Sequence, residues 1–173
     1  MMNRSTIIIG LGVAVALQVC VLSGMLVKAT IPLWTGTKIH VKTVPVDPRS
    51  MFRGNYARLN YEIGQLPMSA LKEFKSLRIG EIVYVSLKLS KDGLYTFADA
   101  ALNQPTEGVF LRGRVISRQV PYQVRYGIEA FFAPKNKALQ LEQDLRNGGV
   151  AVLMVTDSGE VALSDVIPSK PEG

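Results

Sequence analysis

Residues 6–27 read TIIIGLGVAVALQVCVLSGMLV, a run of 22 without a charge in which only Thr6, Gln18 and Ser23 are polar. At about 1.5 Å of rise per residue, a helix of this length spans about 33 Å, against a bilayer hydrocarbon core of about 30 Å. A cleaved secretory signal carries a shorter apolar stretch, about 7–15 residues. Val27-Lys28-Ala29 looks superficially like a cleavage site, but Lys28 stands directly at the end of the run, where its stem can lie along the helix and its charge reach the headgroups. The reading is a retained transmembrane anchor over residues 1–28, then a juxtamembrane linker over 29–36 that places Trp34 in the interface belt. Arg4 precedes the span, while Lys28, Lys38, Lys42, Arg49 and Arg53 follow it, so the raw Lys/Arg count favours a cytoplasmic domain. A folded domain behind a signal-like N-terminal helix translocates despite such charges, and the expected topology is N-terminus in, domain out. Gly10, Gly12, Ala14 and Ala16 would permit close helix packing in the bilayer.

Beyond the anchor, residues 37–167 suffice for one domain with one core, and 168–173 reads as a frayed tail. Hydrophobic residues make up 47% of the 173 and charged residues 20%, which excludes a disordered chain. The net charge of +6 comes from basic residues scattered between Arg4 and Lys170, with no basic block or aromatic-interleaved stripe, so nucleic acid is a poor partner. Anionic headgroups would suit such a surface on a tethered domain, although a solvated face with an excess of Lys and Arg is the simpler account. The single cysteine, Cys20, lies inside the apolar run, which excludes a disulfide framework and reads as a small helix residue rather than a lipidation site.

Alternation marks the strands. Thr37–Val44 places Ile39 and Val41 opposite Lys38, His40 and Lys42. Pro45 and Pro48 break that ladder, and residues 55–63 alternate again, with Ala57, Leu59, Tyr61 and Ile63 on the inner face. Residues 81–89 and 94–100 flank Lys91-Asp92-Gly93, a hairpin signal; 109–118 and 122–128 form a second pair, and 150–156 with 160–167 a third around Asp157-Ser158-Gly159. Short helices are expected after Ser69 and Asn136, the latter stopped by Gly148-Gly149. The expected fold is mainly β (α+β): an N-terminal transmembrane helix, then one small β-barrel or sandwich-like domain of seven or eight strands with one or two short helices. Phe52-Arg53-Gly54 and Leu111-Arg112-Gly113 share a rhythm too common to argue for duplication.

Gly54-Asn55-Tyr56-Ala57-Arg58-Leu59-Asn60-Tyr61, led by Pro45-Val46-Asp47-Pro48-Arg49 and Phe52-Arg53, resembles the bacterial family named after its GDYXXLXY motif. Tyr126-Gly127-Ile128-Glu129, with Phe131 and Phe132, matches that family's second hallmark, and the resemblance covers most of the chain. It implies an anchored envelope protein of the bacterial cytoplasmic membrane, often encoded beside a polytopic membrane protein, and it assigns no activity. One departure matters: Asn55 stands where the motif has Asp, and an amide can neither act as a general base nor hold a hard metal as a carboxylate does. A turn role survives that change. Glu129 is placed to pair with Arg53 or Arg58.

No catalytic, cofactor or metal site emerges. His40 is the only histidine, so neither a His-based metal cluster nor a triad backed by a second histidine can be assembled. The best enzymatic alternative is a signal-peptidase-like serine protease, with Ser50 as nucleophile and Lys88 as a base of depressed pKa. Strand alternation puts Lys88 with Ser86, opposite Val85 and Leu87, in solvent. The expected function is a non-enzymatic accessory or assembly subunit whose domain docks on a polytopic membrane partner through Arg49, Phe52, Arg53, Tyr56 and Arg58, with Gly54, Asn55, Leu59, Tyr61, Tyr126, Gly127 and Glu129 completing the motif cluster. A ligand-binding sensor is the alternative, favoured by a deep pocket lined by Tyr61, Tyr126 and Phe131.

Overall fold

The computed structural model describes residues 4–44, 56–67, 77–117, 119, 121–132 and 148–168. Helix α1 runs over Arg4–Thr35. Within its stretch Ile8–Thr35, the most apolar window has a mean hydropathy of 2.2 and is wholly unburied by the rest of the protein. Water does not tolerate so large a contiguous apolar surface, and the helix is long and apolar enough to cross a bilayer or to act as a signal anchor.

Where the sequence suggests a linker over 29–36, the helix continues to Thr35 and strand β1, Thr37–Val44, begins two residues later. Pro32 lies inside the last turn and does not end it. A proline there has no N–H to donate to the carbonyl four residues back, and its ring crowds that carbonyl; the turn is nevertheless closed by the Gly36 N–H, which donates to the Pro32 carbonyl at 3.0 Å. The side chain of Thr30 adds a bond of 2.9 Å to the Val27 carbonyl, as hydroxyls in apolar helices do. Gly36 itself is tightly enclosed: a Cβ there would lie 2.5 Å from the Pro32 carbonyl oxygen and 2.8 Å from the Val155 nitrogen. The helix end is thereby pressed onto the sheet, with contacts to the last two strands, and the joint is short and closely packed.

Eight strands follow in one path, with one more attached to it. In chain order the strands among the described residues, with a separate pair besides those nine, are β1, β2 (Tyr56–Arg58), β3 (Asn60–Tyr61), β4 (Gln65–Leu66), β5 (Ile82–Leu89), β6 (Tyr95–Ala101), β7 (Val109–Val115), β8 (Tyr122–Arg125), β9 (Ala130–Phe132), β10 (Gly149–Val155) and β11 (Val161–Pro168). The spatial order is β11-β10-β1-β6-β5-β7-β8-β4, with β3 on β1, while β2 and β9 pair separately. Neighbours are antiparallel except β1 and β6, which touch in parallel at Val41 and Tyr95. The Arg112 N–H on β7 donates at 2.8 Å to Gly159 in the β10–β11 turn, so one end of the sheet comes back onto its middle.

The three hairpins fall where the turn residues place them, β5–β6, β7–β8 and β10–β11. The Leu94 N–H and the Ser90 side chain hydrogen-bond the carboxylate of Asp92 in the first turn and hold it below the usual Asp range. The expected single strand over 55–63 divides in two, because β2 pairs with β9 and β3 with β1. The helices expected after Ser69 and Asn136 lie outside the described residues. The core follows the alternation: Ile39, Val41, Val83, Val85, Leu111, Val115 and Leu153 are at most 1% exposed and interdigitate with Ile63 and Leu66. Thr43 is the buried polar exception, satisfied by donating to the Gly149 carbonyl at 2.9 Å and accepting the Gly149 N–H at 2.8 Å.

Candidate functional site

The two motif stretches meet. Strand β2 lies antiparallel to β9, with Tyr56 opposite Phe132, Ala57 opposite Phe131 and Arg58 opposite Ala130. One residue on, the Leu59 N–H donates to the Glu129 carbonyl at 2.9 Å and continues the pairing into the loop. Leu59, Tyr61 and Ile63 are all buried, as alternation requires.

Two phenols then lock the segments together. The Tyr61 hydroxyl donates to the Ile128 carbonyl at 2.6 Å, and the Tyr126 hydroxyl donates to the Ile63 carbonyl at 2.6 Å. Both rings are nearly sealed, Tyr61 at 4% and Tyr126 at 8% exposure. A tyrosine can be buried at this depth only if its hydroxyl finds a partner, and each here finds a backbone carbonyl. Burial, and secondarily the charge of Glu129, push both phenols well above the ordinary tyrosine range, so both are neutral donors at any physiological pH.

Glu129 holds the turn that presents Tyr126. Its carboxylate accepts the Tyr126 N–H at 2.7 Å and the Gly127 N–H at 3.1 Å, one on each oxygen. Gly127 has φ +86°, a backbone conformation that other L residues rarely adopt. The far side of the Tyr126 ring rests on Gly113 of β7, where a Cβ would sit 2.9 Å from two ring carbons and against the Val124 side chain. Gly113 is the one member of the site that strand reading passes over; the sequence signal for it is a glycine interrupting an otherwise regular β run.

The remaining expectations divide. Arg49, Phe52, Arg53, Gly54 and Asn55 lie outside the described residues, and of Tyr56 and Arg58 only the backbone is described. The salt bridge expected between Glu129 and Arg53 or Arg58 thus falls outside the described side chains, while both oxygens of Glu129 are engaged by backbone N–H groups. Lys88 is exposed, as is its neighbour Leu89. Among the described residues there is no group of three or more His, Cys, Asp and Glu able to hold a metal ion.

Two grooves adjoin the cluster. The larger, about 950 Å³, lies between the end of α1 and the outer side of β7 and β8, and reaches Tyr126 but neither Tyr61 nor Phe131. A second, about 580 Å³, reaches Tyr61 but neither of the other two. The pocket that would favour a sensor, one lined by all three aromatics, is not formed by either, since both phenols are turned inward to backbone carbonyls.

Fold and site together define an N-terminal apolar helix carrying a β-rich domain whose two tyrosine-bearing segments are clasped to each other. The model of the GDYXXLXY protein family matches residues 18–166, and the chain belongs to that family. No curated protein and no solved structure matches the chain significantly.

Proposed function

We propose that the protein is a non-enzymatic accessory subunit of the cytoplasmic membrane, anchored by α1 with its β domain on the extracytoplasmic side and docked on an integral membrane partner. The observation that carries this reading is the union of an apolar helix, exposed over its most apolar window, with a closely packed joint at Gly36 that leaves the domain little freedom to swing. A flexible tether serves a domain that must roam; a stiff one holds a domain at a set height and orientation beside the bilayer, which suits a fixed partner. The chemistry of the motif points the same way, because Tyr61, Tyr126 and Glu129 are consumed by intramolecular bonds and offer no free acid, base or nucleophile. The docking surface assigned to the partner is that of Arg49, Phe52, Arg53, Tyr56 and Arg58, of which Tyr56 and Arg58 lie on β2, the strand that leads into the clasp.

The test is recovery of the intact protein from its native membranes in mild detergent, followed by mass spectrometry. The expected result is one stoichiometric polytopic partner, lost on Tyr56→Ala or Arg53→Ala while the domain still melts as the wild type does. A protein recovered clean and partnerless would sink the subunit reading.

A further inference from the structure

The larger groove has a composition that the subunit reading does not use. One wall is the end of α1, with Met25, Lys28 and Pro32; the other includes Arg112 and Arg114 of β7 and Arg125 of β8. Arg112 and Arg114 are two apart on one strand, and Arg114 is directly opposite Arg125 on the next, so strand geometry gathers all three on one outward face. Like charges set opposite one another across strands are unfavourable, and the intramolecular relief here is small. Arg114 donates to the Gly80 carbonyl at 3.0 Å, and among the described residues the side chains of Lys28, Arg112 and Arg125 have no hydrogen-bond or ion-pair partner. Two carboxylates share the groove, Glu129 and Glu160, but Glu129 is already taken by two backbone N–H groups. Four cations therefore face one uncommitted carboxylate.

Height fixes the environment. The 28 residues of Ile8–Thr35 extend about 42 Å as an α-helix, while the hydrocarbon core takes up about 30 Å. Residues 8–27 fill the core, and Lys28 onward runs through the headgroup layer. The groove spans that boundary, Met25 just below it and Lys28, Ala29 and Pro32 just above.

We propose that this groove binds an anionic phospholipid, whose phosphate is held by Arg112, Arg114 and Arg125 and whose glycerol and upper acyl chain lie along Met25 and Pro32. Guanidinium forks match phosphate oxygens in pairs, and the apolar helix wall supplies what a free anion would not need. The proposal rests on the reading that α1 crosses the bilayer.

The experiment is native mass spectrometry of the full-length protein in mild detergent, titrated separately with phosphatidylglycerol and phosphatidylcholine. Wild type should retain one phosphatidylglycerol in preference to phosphatidylcholine. Each arginine replaced by Gln should weaken that binding about fivefold, and R112Q/R114Q/R125Q about a hundredfold. Lys88→Gln with Lys91→Gln, both exposed outside the groove, should change nothing. If the triple variant does not fold, Arg125→Gln alone gives the same reading at its own fivefold. Equal retention of the two lipids, undiminished binding in the arginine variants, an equal loss in the lysine control, or displacement of the lipid by inorganic phosphate would each overturn the proposal. Alkaline carbonate extraction of membranes separates the two readings: release of the protein overturns the anchor and the groove with it, whereas resistance without lipid preference overturns the groove alone.

Discussion

Tyr61 and Tyr126 are crossed: each donates its hydroxyl, at 2.6 Å, to the carbonyl of the residue two places beyond the other, Ile128 and Ile63. The last tyrosine of one motif is thus the clasp on the other motif, and the reverse. Removing either hydroxyl leaves a buried carbonyl without its donor, which costs about 1–3 kcal/mol. Tyr61→Phe and Tyr126→Phe should each lower stability by that amount in denaturant titration. Because both bonds join the same two segments, loss of the first should loosen the geometry of the second. The double variant should therefore lose less than the sum of the singles, by about 0.5 kcal/mol or more. Strict additivity would show the two bonds to be independent.

The same pair sets an alkaline limit. The ordinary tyrosine pKa is about 10, and burial raises both phenols above it in the folded state. For a group whose folded pKa is raised, stability is full below the unfolded pKa and is lost as pH climbs toward the folded one, because the unfolded chain sheds protons that the folded chain retains. Above about pH 10 the unfolding free energy should fall by about 1.4 kcal/mol per pH unit for each tyrosine. A series of melts between neutral pH and pH 11 should show that slope in wild type, halved in Tyr61→Phe. A flat profile in wild type would contradict the burial of both hydroxyls.

Glu129 acts through two backbone N–H groups, Tyr126 and Gly127, at 2.7 and 3.1 Å. Glu129→Ala strips both acceptors and should destabilise the domain by about 1.5–3 kcal/mol, the range for charged hydrogen bonds. Glu129→Gln keeps one acceptor oxygen and should lose less than half as much. If Glu129 acted instead as a reactive acid, the Gln variant would be as deficient in function as Ala while melting normally, and the pair of melts separates those cases.

Much of this is legible in the residues. Strand β1, the hairpins at Asp92-Gly93 and Ser158-Gly159, and the inward set Leu59, Tyr61 and Ile63 follow from alternation and turn chemistry. The crossed tyrosines do not, since each bond joins residues 60 or more apart and depends on which strand pairs with which. Nor does the groove, because Arg112, Arg114 and Arg125 look like an ordinary solvated face until the end of α1 is laid beside them. The helix end escapes the reading for a local reason: the uncharged run stops at Lys28, whereas the helix continues through Pro32 to Thr35 and is followed by Gly36, whose missing Cβ allows close approach to β10.

Gly113 tests the seat of the clasp. A methyl group there would meet the Tyr126 ring at 2.9 Å and the Val124 side chain, and neither is the loose end of a flexible chain. Gly113→Ala should lose about 1–3 kcal/mol through overpacking. The loss should shrink in a Tyr126→Leu background, where the ring is gone and only Val124 remains to yield. If the loss is the same in both backgrounds, the ring does not rest on Gly113.

Gly36 tests the stiff joint on which both functional proposals lean. Its missing Cβ would meet backbone at Pro32, Met154 and Val155, and backbone cannot rotate away as a side chain does. Gly36→Val should therefore not be absorbed by repacking; it should part the helix end from β10 while the hydrogen-bonded core of the sheet survives. Limited proteolysis of the full chain in detergent should then cut between Thr35 and Thr37 at least tenfold faster than in wild type, with the melting of the β domain shifted by only a few degrees. The comparison decides between two roles for the glycine. Faster cleavage with an intact domain makes Gly36 the fastener that holds the domain against the end of α1. Unchanged cleavage with a collapsed domain would make it a core residue of the sheet, and the fixed geometry invoked for partner and lipid would lose its support.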